Sequence, residues 1–240
     1  MTIGRTLLVI LLLPVALWAS GDVSKDEAIR ALVERKLDSK DLRGPSVEVR
    51  EGVVTLTGKS RSVWAKSRAA ELSMETEGVV AVEDRLEIAR GESDLKVAEE
   101  VAKAVNRYPY FTIYDDVSLQ IESGAVTLQG RVTMPFKSEE IGTRVSKVLG
   151  VQSVDNRIET LPVNIGDQKI RAALLYRIYG DSTFREYASR VNPPIHIVVE
   201  RGRVALTGAV RSEVERRKAE HIARSTFGVF AVENRLQVGS

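Results

Sequence analysis

The sequence predicts an α+β fold made of three tandem units, each with two helices packed on a small three-stranded sheet. Two observations on the 240-residue chain carry this prediction. A Gly-x-Val-x-Leu-x-Gly segment occurs three times, and a Gly-Val-x-x-Val-x-(Asp/Asn)-Arg segment follows each copy, always 26 residues further on. Apolar residues also recur at strand and helix spacing in and between these segments. Repetition of this kind is the signature of a repeated structural unit.

The repeats divide the chain into a leader and three units. We expect a signal peptide at residues 1–21, followed by units at 22–90, 91–162 and 163–240. Repeat starts lie 72 and 78 residues apart, so the third unit carries about six extra residues, all upstream of Gly202. The glycines that recur in the two segments form a structural motif: Gly52, Gly58, Gly78, Gly124, Gly130, Gly150, Gly202, Gly208 and Gly228.

Each unit is predicted to begin with a helix and to continue into a hairpin. In the first unit, Ile29 and Val33 recur at helical spacing and predict the opening helix. Apolar and polar residues then alternate on either side of Glu51-Gly52, which predicts two antiparallel strands. Gly52 is expected to supply the positive φ of the tight turn. The later motif glycine, Gly58, is expected to end the second strand.

A second helix and a third strand complete each unit. In the third copy, Ser212 and Glu215 form a capping-box pattern at the predicted helix start. In the second copy, Pro135 stands where a first helical residue would lie. Gly78 and its equivalents are expected to stop this helix at its C-terminus. The last strand of the first unit is then predicted over 79–88.

The first 21 residues have the pattern of a targeting signal. Arg5 precedes a nearly continuous apolar run from Leu7 to Trp18, which is short for a membrane span of roughly 20 residues. Small residues at Ala19 to Gly21 fit a cleavage site. We therefore expect an exported, periplasmic protein. An uncleaved membrane anchor and secretion from the cell are the alternatives.

Composition excludes several classes of function. The chain has no cysteine, which removes thiol catalysis, disulfide bonds and cysteine-based zinc sites. Its two histidines, His196 and His221, have no acidic partner at the spacing of a metal site or catalytic triad. The 35 basic and 33 acidic residues leave a formal charge of +2, without the footprint of a nucleic-acid-binding protein. We expect no catalytic residues, no metal, no cofactor and no nucleic-acid partner.

The two repeated segments resemble the BON domain, a module named for bacterial OsmY and nodulation proteins. The resemblance covers nearly all of residues 23–240 as three copies. It implies an αββαβ fold for each unit, a periplasmic setting, no catalysis and a role in binding phospholipid membranes. It also implies a place in osmotic or envelope stress. The matching residues are mostly turn glycines and core valines, and a fold alone does not specify function.

Charge is distributed unevenly among the units. Residues 23–90 of the first unit are neutral, the second unit has a net charge of −3 and the third has +5. A basic patch near an anionic lipid surface contributes about 1 kcal/mol per residue. The alternative is a solvated helix face balanced by Glu213, Glu215 and Glu220. The basic candidates for contact with lipid or a partner lie mostly on the second helix of the third unit: Arg211, Arg216, Arg217, Lys218 and Arg224.

Aromatic residues gather at the end of the opening helix and before the first strand in the second and third units. Tyrosine suits a boundary that is apolar on one side and wet on the other, as in membrane and protein interfaces. Alternatively, the rings fill the edge between helix and sheet or the seam between units. The aromatic candidates are Tyr108, Tyr110, Phe111, Tyr176, Tyr179, Phe184 and Tyr187.

Two functional hypotheses follow. The first is a non-catalytic exported protein that binds phospholipid surfaces and supports envelope integrity or the osmotic stress response. Replacing Arg216, Arg217 and Lys218 by Glu is then expected to abolish liposome binding. The second is a scaffold for protein–protein contacts in the cell envelope, with self-association or an envelope protein as partner. Flotation with liposomes separates the two.

Overall fold

The computed structural model describes residues 20–90, 93–190 and 192–239. Almost all of the expected signal peptide, residues 1–19, lies outside the described residues. The described chain divides into two compact units. One comprises residues 20–61 with 65–87, and the other comprises 62–64 with 88–239. The second and third repeats therefore share one unit.

The first repeat has the expected order of helix, two strands, helix and strand. Its three strands form one sheet with the second strand of the hairpin in the centre, and the two hairpin strands are antiparallel. Val33, Val54 and Leu56 are completely buried between this sheet and its helices. The elements are α1 (Ser20–Leu37), β1 (Pro45–Arg50), β2 (Val53–Ser60), α2 (Val63–Met74) and β3 (Ala81–Ile88).

The second repeat copies this arrangement. The second strand of its hairpin again lies in the centre of the sheet. It is antiparallel to the first strand and parallel to the third. Val101, Leu128 and Ile141 are fully buried in its core. The elements are α3 (Asp94–Asn106), β4 (Asp116–Glu122), β5 (Ala125–Val132), α4 (Pro135–Ser146) and β6 (Ser153–Thr160).

The third repeat adds a short helical segment that accommodates its extra residues. A 3₁₀ turn at Ser182–Phe184 leads directly into a four-residue helix before the hairpin. The second strand of the hairpin lies in the centre of the sheet. It pairs with the first strand on one side and, on the other side, with two short consecutive strands near the C-terminal end of the repeat. The elements are α5 (Ile165–Tyr179), α6 (Arg185–Ala188), β7 (Ile195–Glu200), β8 (Arg203–Val210), α7 (Glu213–Arg224), β9 (Ala231–Asn234) and β10 (Gln237–Val238). The predicted α+β fold of three αββαβ repeats is confirmed.

The hairpin turns have positive φ at two successive residues. In the third repeat φ is 51° at Arg201 and 72° at Gly202, and the first two repeats have the same pattern. Two positive φ values match the right-handed twist of the flanking strands, as in a type I′ turn. The expected positive φ at the glycine is confirmed, and the residue before it also adopts a backbone conformation uncommon outside glycine.

Two glycine expectations are wrong in detail. The sequence predicts that Gly58 and its equivalents Gly130 and Gly208 end the second strand, but they lie inside β2, β5 and β8. A Cβ on Gly208 would lie only 1.9 Å from the Pro194 carbonyl oxygen. Gly228 lies beyond the C-cap of α7, which is Ser225. A Cβ on Gly228 would press on Ile170 at 3.2 Å. Both glycines therefore permit close packing as well as positive φ.

The predicted helix starts are confirmed, with one change in the capping box. Pro135 opens α4, and the Ser212 hydroxyl accepts a hydrogen bond from the Glu215 amide at 3.2 Å. The Glu215 carboxylate accepts from the Arg211 amide at 2.8 Å. In a capping box this carboxylate would reach the amide of the cap residue itself. The Glu215 carboxylate instead bonds to the amide one residue before the cap, because it also accepts a hydrogen bond from the buried Tyr187 hydroxyl.

Candidate functional site

The aromatic candidates separate into buried and exposed rings. Tyr110 and Tyr176 are well exposed, and Phe111 is half-buried. The buried rings fill the edges between helix and sheet, which is one of the alternatives expected from the sequence. Four candidates are at most 8% exposed: Tyr108, Tyr179, Phe184 and Tyr187. Only the exposed candidates have ring area to offer a membrane or partner in this conformation.

The buried tyrosines of the third repeat are anchored by hydrogen bonds. The Tyr179 hydroxyl donates to the Ile195 carbonyl at 2.6 Å, and burial raises the pKa of this hydroxyl. The Tyr187 hydroxyl donates to the Glu215 carboxylate at 2.7 Å. Burial of Glu215 would raise its pKa, but hydrogen bonds from Tyr187 and Arg211 lower it below its usual range. These tyrosines hold the short helix α6 and the hairpin in place.

The segment before β4 lies along the edge of the third sheet. Ile197 of β7 donates its amide to the Ile113 carbonyl at 2.6 Å. His196 donates through Nδ1 to the Asp115 carbonyl at 2.6 Å, and its ring lies 5.4 Å from that of Phe111. The aromatic segment of the second repeat therefore forms part of the seam with the third repeat.

A buried ion pair anchors this same segment. The Asp115 carboxylate is fully buried and accepts from Lys137 Nζ at 2.7 Å. It also accepts from the amide and hydroxyl groups of Thr112 and Thr133, at 2.8–2.9 Å. Burial would raise the pKa of Asp115, but Lys137 and these donors lower it below its ordinary value.

The basic candidates of the third unit are all engaged in ion pairs. Acidic neighbours on α7, on α6 and at the start of the 3₁₀ turn before α6 therefore offset their charge locally. Binding by these residues stays a prediction, but they do not form a free cationic face. The pairs are Arg211–Glu186 at 2.6 Å, Arg216–Glu213 at 3.5 Å, Arg217–Glu213 at 3.3 Å, Lys218–Asp181 at 3.0 Å and Arg224–Glu220 at 2.8 Å.

A groove recurs at the same place in all three repeats. It lies between the opening helix and the loop that follows the second helix. Its volume is about 580 Å³ in the first repeat, about 530 Å³ in the second and about 740 Å³ in the third. In the third repeat we call it the aromatic groove, lined among others by Lys169, Ile170, Ala173, Arg177, Phe227 and Phe230.

Two exposed phenylalanines distinguish the aromatic groove. Phe227 is 99% exposed and Phe230 is 78% exposed, and both lie in the loop between α7 and β9. The equivalent residues are Glu77 and Val80 in the first repeat and Leu149 and Gln152 in the second. Exposed apolar groups that cluster at one end of a domain are typical of interaction sites.

Three cations border the two rings. Arg177 donates to the Ser225 carbonyl at 2.7 Å and to the Thr226 hydroxyl at 2.9 Å, so neutral groups hold it in place. Lys169 and Arg201 also line the groove. None of the three forms an ion pair with any residue that the structure describes, in contrast to the basic residues of α7.

Phe227 and Phe230 are not among the site residues that the sequence predicts. Both stand in the repeated segment that contains Gly228, where the positions shared by all three repeats are structural. The available signal was a difference between repeats: only the third copy has two aromatic residues flanking this glycine.

Metal and membrane-spanning features are absent from the part of the chain that the structure describes. No group of three or more histidine or acidic side chains there is placed to hold a metal ion. None of the helices over 20–90, 93–190 and 192–239 is long and apolar enough to cross a bilayer.

The BON domain model matches residues 25–90, 93–162 and 182–240, which together make up most of the chain. The protein belongs to the BON domain family.

Individual relatives support the same assignment. Osmotically-inducible protein Y of Escherichia coli (strain K12) is 30% identical over 135 residues. This match covers 51% of the chain and 61% of that relative, so less than two thirds of the relative's length is spanned.

Solved structures give only weak likenesses. The C-terminal domain of CdsD, a structural protein of the Type III secretion system of Chlamydia trachomatis, is 16% identical with a TM-score of 0.27, covering 91% of this chain and 98% of that one. The periplasmic domain of PrgH, a Type III secretion inner membrane protein from S. typhimurium, is 14% identical with a TM-score of 0.22, covering 86% and 100%. At these TM-scores neither likeness carries an argument about function.

Proposed function

We propose that this protein is a non-catalytic component of the cell envelope that binds anionic phospholipid surfaces through the aromatic groove. The observation that carries the proposal is the pair Phe227 and Phe230, exposed beside three cations that have no acidic partner among the described residues. Aromatic rings and basic side chains together are the usual anchors of a protein at a lipid interface.

The magnitudes favour this surface over the basic helix. Burial of a phenylalanine side chain contributes about 1.5–3 kcal/mol, and a basic residue near an anionic surface about 1 kcal/mol. Two rings with Lys169, Arg177 and Arg201 thus combine both kinds of attraction. On α7 the ion pairs with acidic residues reduce the charge that a lipid surface would meet.

The setting in the cell belongs to the same proposal. The apolar leader of residues 1–21 supports export to the periplasm, where the leaflets of the envelope offer anionic lipid. The similarity to an osmotically inducible protein supports a role in osmotic or envelope stress.

Flotation with liposomes tests the proposal. Residues 22–240 are mixed with anionic or zwitterionic vesicles at low and physiological salt. We expect flotation with anionic vesicles, weakened by salt because the cationic contribution is screened. The variant Phe227→Ser/Phe230→Ser is expected to stay at the bottom of the gradient.

A matched control comes from the second repeat. Tyr110 and Phe136 are also exposed and their rings contact edge to face at 5.9 Å. The variant Tyr110→Ser/Phe136→Ser removes comparable aromatic surface at a place where we propose no lipid contact, and it should float like the parent protein. Equal flotation by the parent protein and the Phe227/Phe230 variant would contradict the proposed site.

The alternative function is a protein-binding scaffold, and the exposed pair Tyr110 and Phe136 favours it. Met134, two residues before Phe136, is also exposed, so this part of the second repeat offers apolar area to a partner. Absence of flotation under every condition, with a mass above that of the monomer in light scattering, would favour this alternative.

A further inference from the structure

A second cavity lies on the outer face of the third sheet, where the second repeat meets the third. Its volume is about 450 Å³ and its floor is apolar, formed by Val198, Ala205 and Ala231. We call it the arginine cavity because four arginines and two glutamates also line it: Arg131, Arg201, Arg203, Arg235, Glu200 and Glu233.

The ion pairs leave this cavity with a surplus of positive charge. Arg235 binds Glu233 through two hydrogen bonds of 2.7 Å. Arg131 contacts Glu159 and approaches Glu200 at 4.0 Å. Counting Glu159 with the two glutamates of the cavity, three acids face four guanidinium groups, so a charge of about +1 remains and Arg201 and Arg203 keep no acidic partner among the described residues.

The first repeat provides a cavity for comparison. On the same face of its sheet, about 410 Å³ are lined by Glu48, Arg50, Val53, Thr55, Glu83 and Arg85, with two acids balancing two bases. The repeat spacing aligns Val198 with Glu48, Glu200 with Arg50, Arg201 with Glu51 and Arg203 with Val53. The change at Glu200 makes this face more negative by two charges, but the changes at Val198, Arg201 and Arg203 together make it more positive by four. The third repeat is therefore more positive than the first by two charges at these positions.

We propose that the arginine cavity binds a phosphate monoester. Guanidinium groups donate paired hydrogen bonds that match the oxygens of a phosphate, and a monoester carries close to two negative charges at neutral pH. The cavity is much larger than the phosphate group alone, and the apolar floor accommodates the organic part of the ester. A soluble ester and a lipid headgroup share this chemistry.

The site is distinct from the proposed contact of Phe227 and Phe230 with a membrane. Arg201 lines both cavities, and the guanidinium of Arg203 lies 5.6 Å from the centre of the Phe230 ring, so the two sites are neighbours. Phosphate binding does not require the rings to enter lipid, and the variants can therefore separate the two proposals.

Titration calorimetry with glycerol 3-phosphate and with inorganic phosphate tests the inference. We expect saturable binding, tighter for glycerol 3-phosphate, and an affinity lowered about tenfold or more by Arg203→Gln, because one charged donor is lost. Arg201→Asn should lower it similarly, and asparagine tolerates the positive φ of 51° at that position. The matched control Arg50→Gln/Arg85→Gln in the first repeat should bind like the parent protein.

Each outcome is decisive. Absence of saturable binding of either phosphate, or the same loss in the Arg50/Arg85 control as in Arg203→Gln, would overturn the inference. Retained binding in Phe227→Ser/Phe230→Ser, with lost flotation, supports both proposals as separate sites. Competition by vesicles that contain phosphatidate identifies the lipid source of the ester, whereas binding unaffected by these vesicles identifies a soluble source.

Discussion

The carboxylate of Asp167 accepts the backbone amide of Gly202 at 2.8 Å, across 35 residues of sequence. Its other oxygen accepts the Arg201 amide, also at 2.8 Å. Asp26 and Asp94 make the same pair of bonds to the hairpin turns of the first and second repeats. One aspartate near the start of each opening helix thus anchors the opposite hairpin, in the first turn of α3 and α5 and in the second turn of α1.

Replacing Asp167 should therefore destabilise the third repeat. Asp167 is buried, so Asp167→Ala leaves two amides without their charged acceptor. We expect a loss of about 2–4 kcal/mol in the free energy of unfolding, measured by chemical denaturation. Gln168→Ala, on the exposed side of the same helix turn, is the control and should change stability little. Equal stability of the two variants would show that the turn does not depend on Asp167.

The buried pair of Asp115 and Lys137 predicts a different mutational pattern. Lys137→Met leaves the carboxylate buried without its cation and should cost about 3–5 kcal/mol. The double variant Asp115→Leu/Lys137→Met removes both charges and should be more stable than Lys137→Met alone. Denaturation of the single and double variants measures this difference, and strictly additive losses would contradict it.

Asp115 also predicts how stability depends on pH. Its folded pKa lies below the ordinary value of 3.8, so the unfolded chain binds a proton more readily than the folded one. The stabilisation is then fully present above about pH 4 and is lost as pH falls through the lowered pKa. Asp115→Asn should be less stable at neutral pH and should show a shallower decline below pH 4. Parallel pH profiles would rule out this contribution.

The glycines inside the central strands predict a graded response to alanine. The Cβ of alanine would lie 1.9 Å from a carbonyl oxygen at Gly208 and 2.0 Å at Gly130, but 3.3 Å at Gly58. All three have positive φ, which alone costs about 1–3 kcal/mol for alanine. We expect Gly208→Ala and Gly130→Ala to lower the melting temperature more than Gly58→Ala. An equal effect at all three would show that φ, not the close contact, decides.

The two cationic surfaces of the third repeat can be compared directly. Charge reversal at Arg216, Arg217 and Lys218 tests the basic helix, and Phe227→Ser/Phe230→Ser tests the aromatic groove. Because the three basic residues are already paired with Glu213 or Asp181, we now expect their reversal to weaken flotation less than loss of the rings. A larger loss of flotation from the charge reversal than from the loss of the rings would indicate that α7 is the lipid site.

Local patterns were sufficient for the order of elements. The period of two around Gly52 and the helical spacing of Ile29 and Val33 are properties of adjacent residues, so the sequence predicts them directly. The same holds for Pro135 and Ser212 at helix starts. The error at Gly208 arose because an internal strand glycine and a strand-ending glycine look alike until the opposing Pro194 carbonyl is placed.

Three repeated αββαβ units, their glycine turns and the positive balance of the third copy follow from the amino-acid sequence alone. Which side chains remain available for contact depends on the tertiary structure. In the folded chain Tyr108 and Tyr187 are buried, Lys218 forms an ion pair with Asp181, and Phe227 is exposed to solvent. The physical reason is that burial and ion pairing depend on groups brought together from distant parts of the chain. The aspartate that reaches each hairpin does so over 26, 30 and 35 residues, a variable separation that no fixed sequence pattern could reveal.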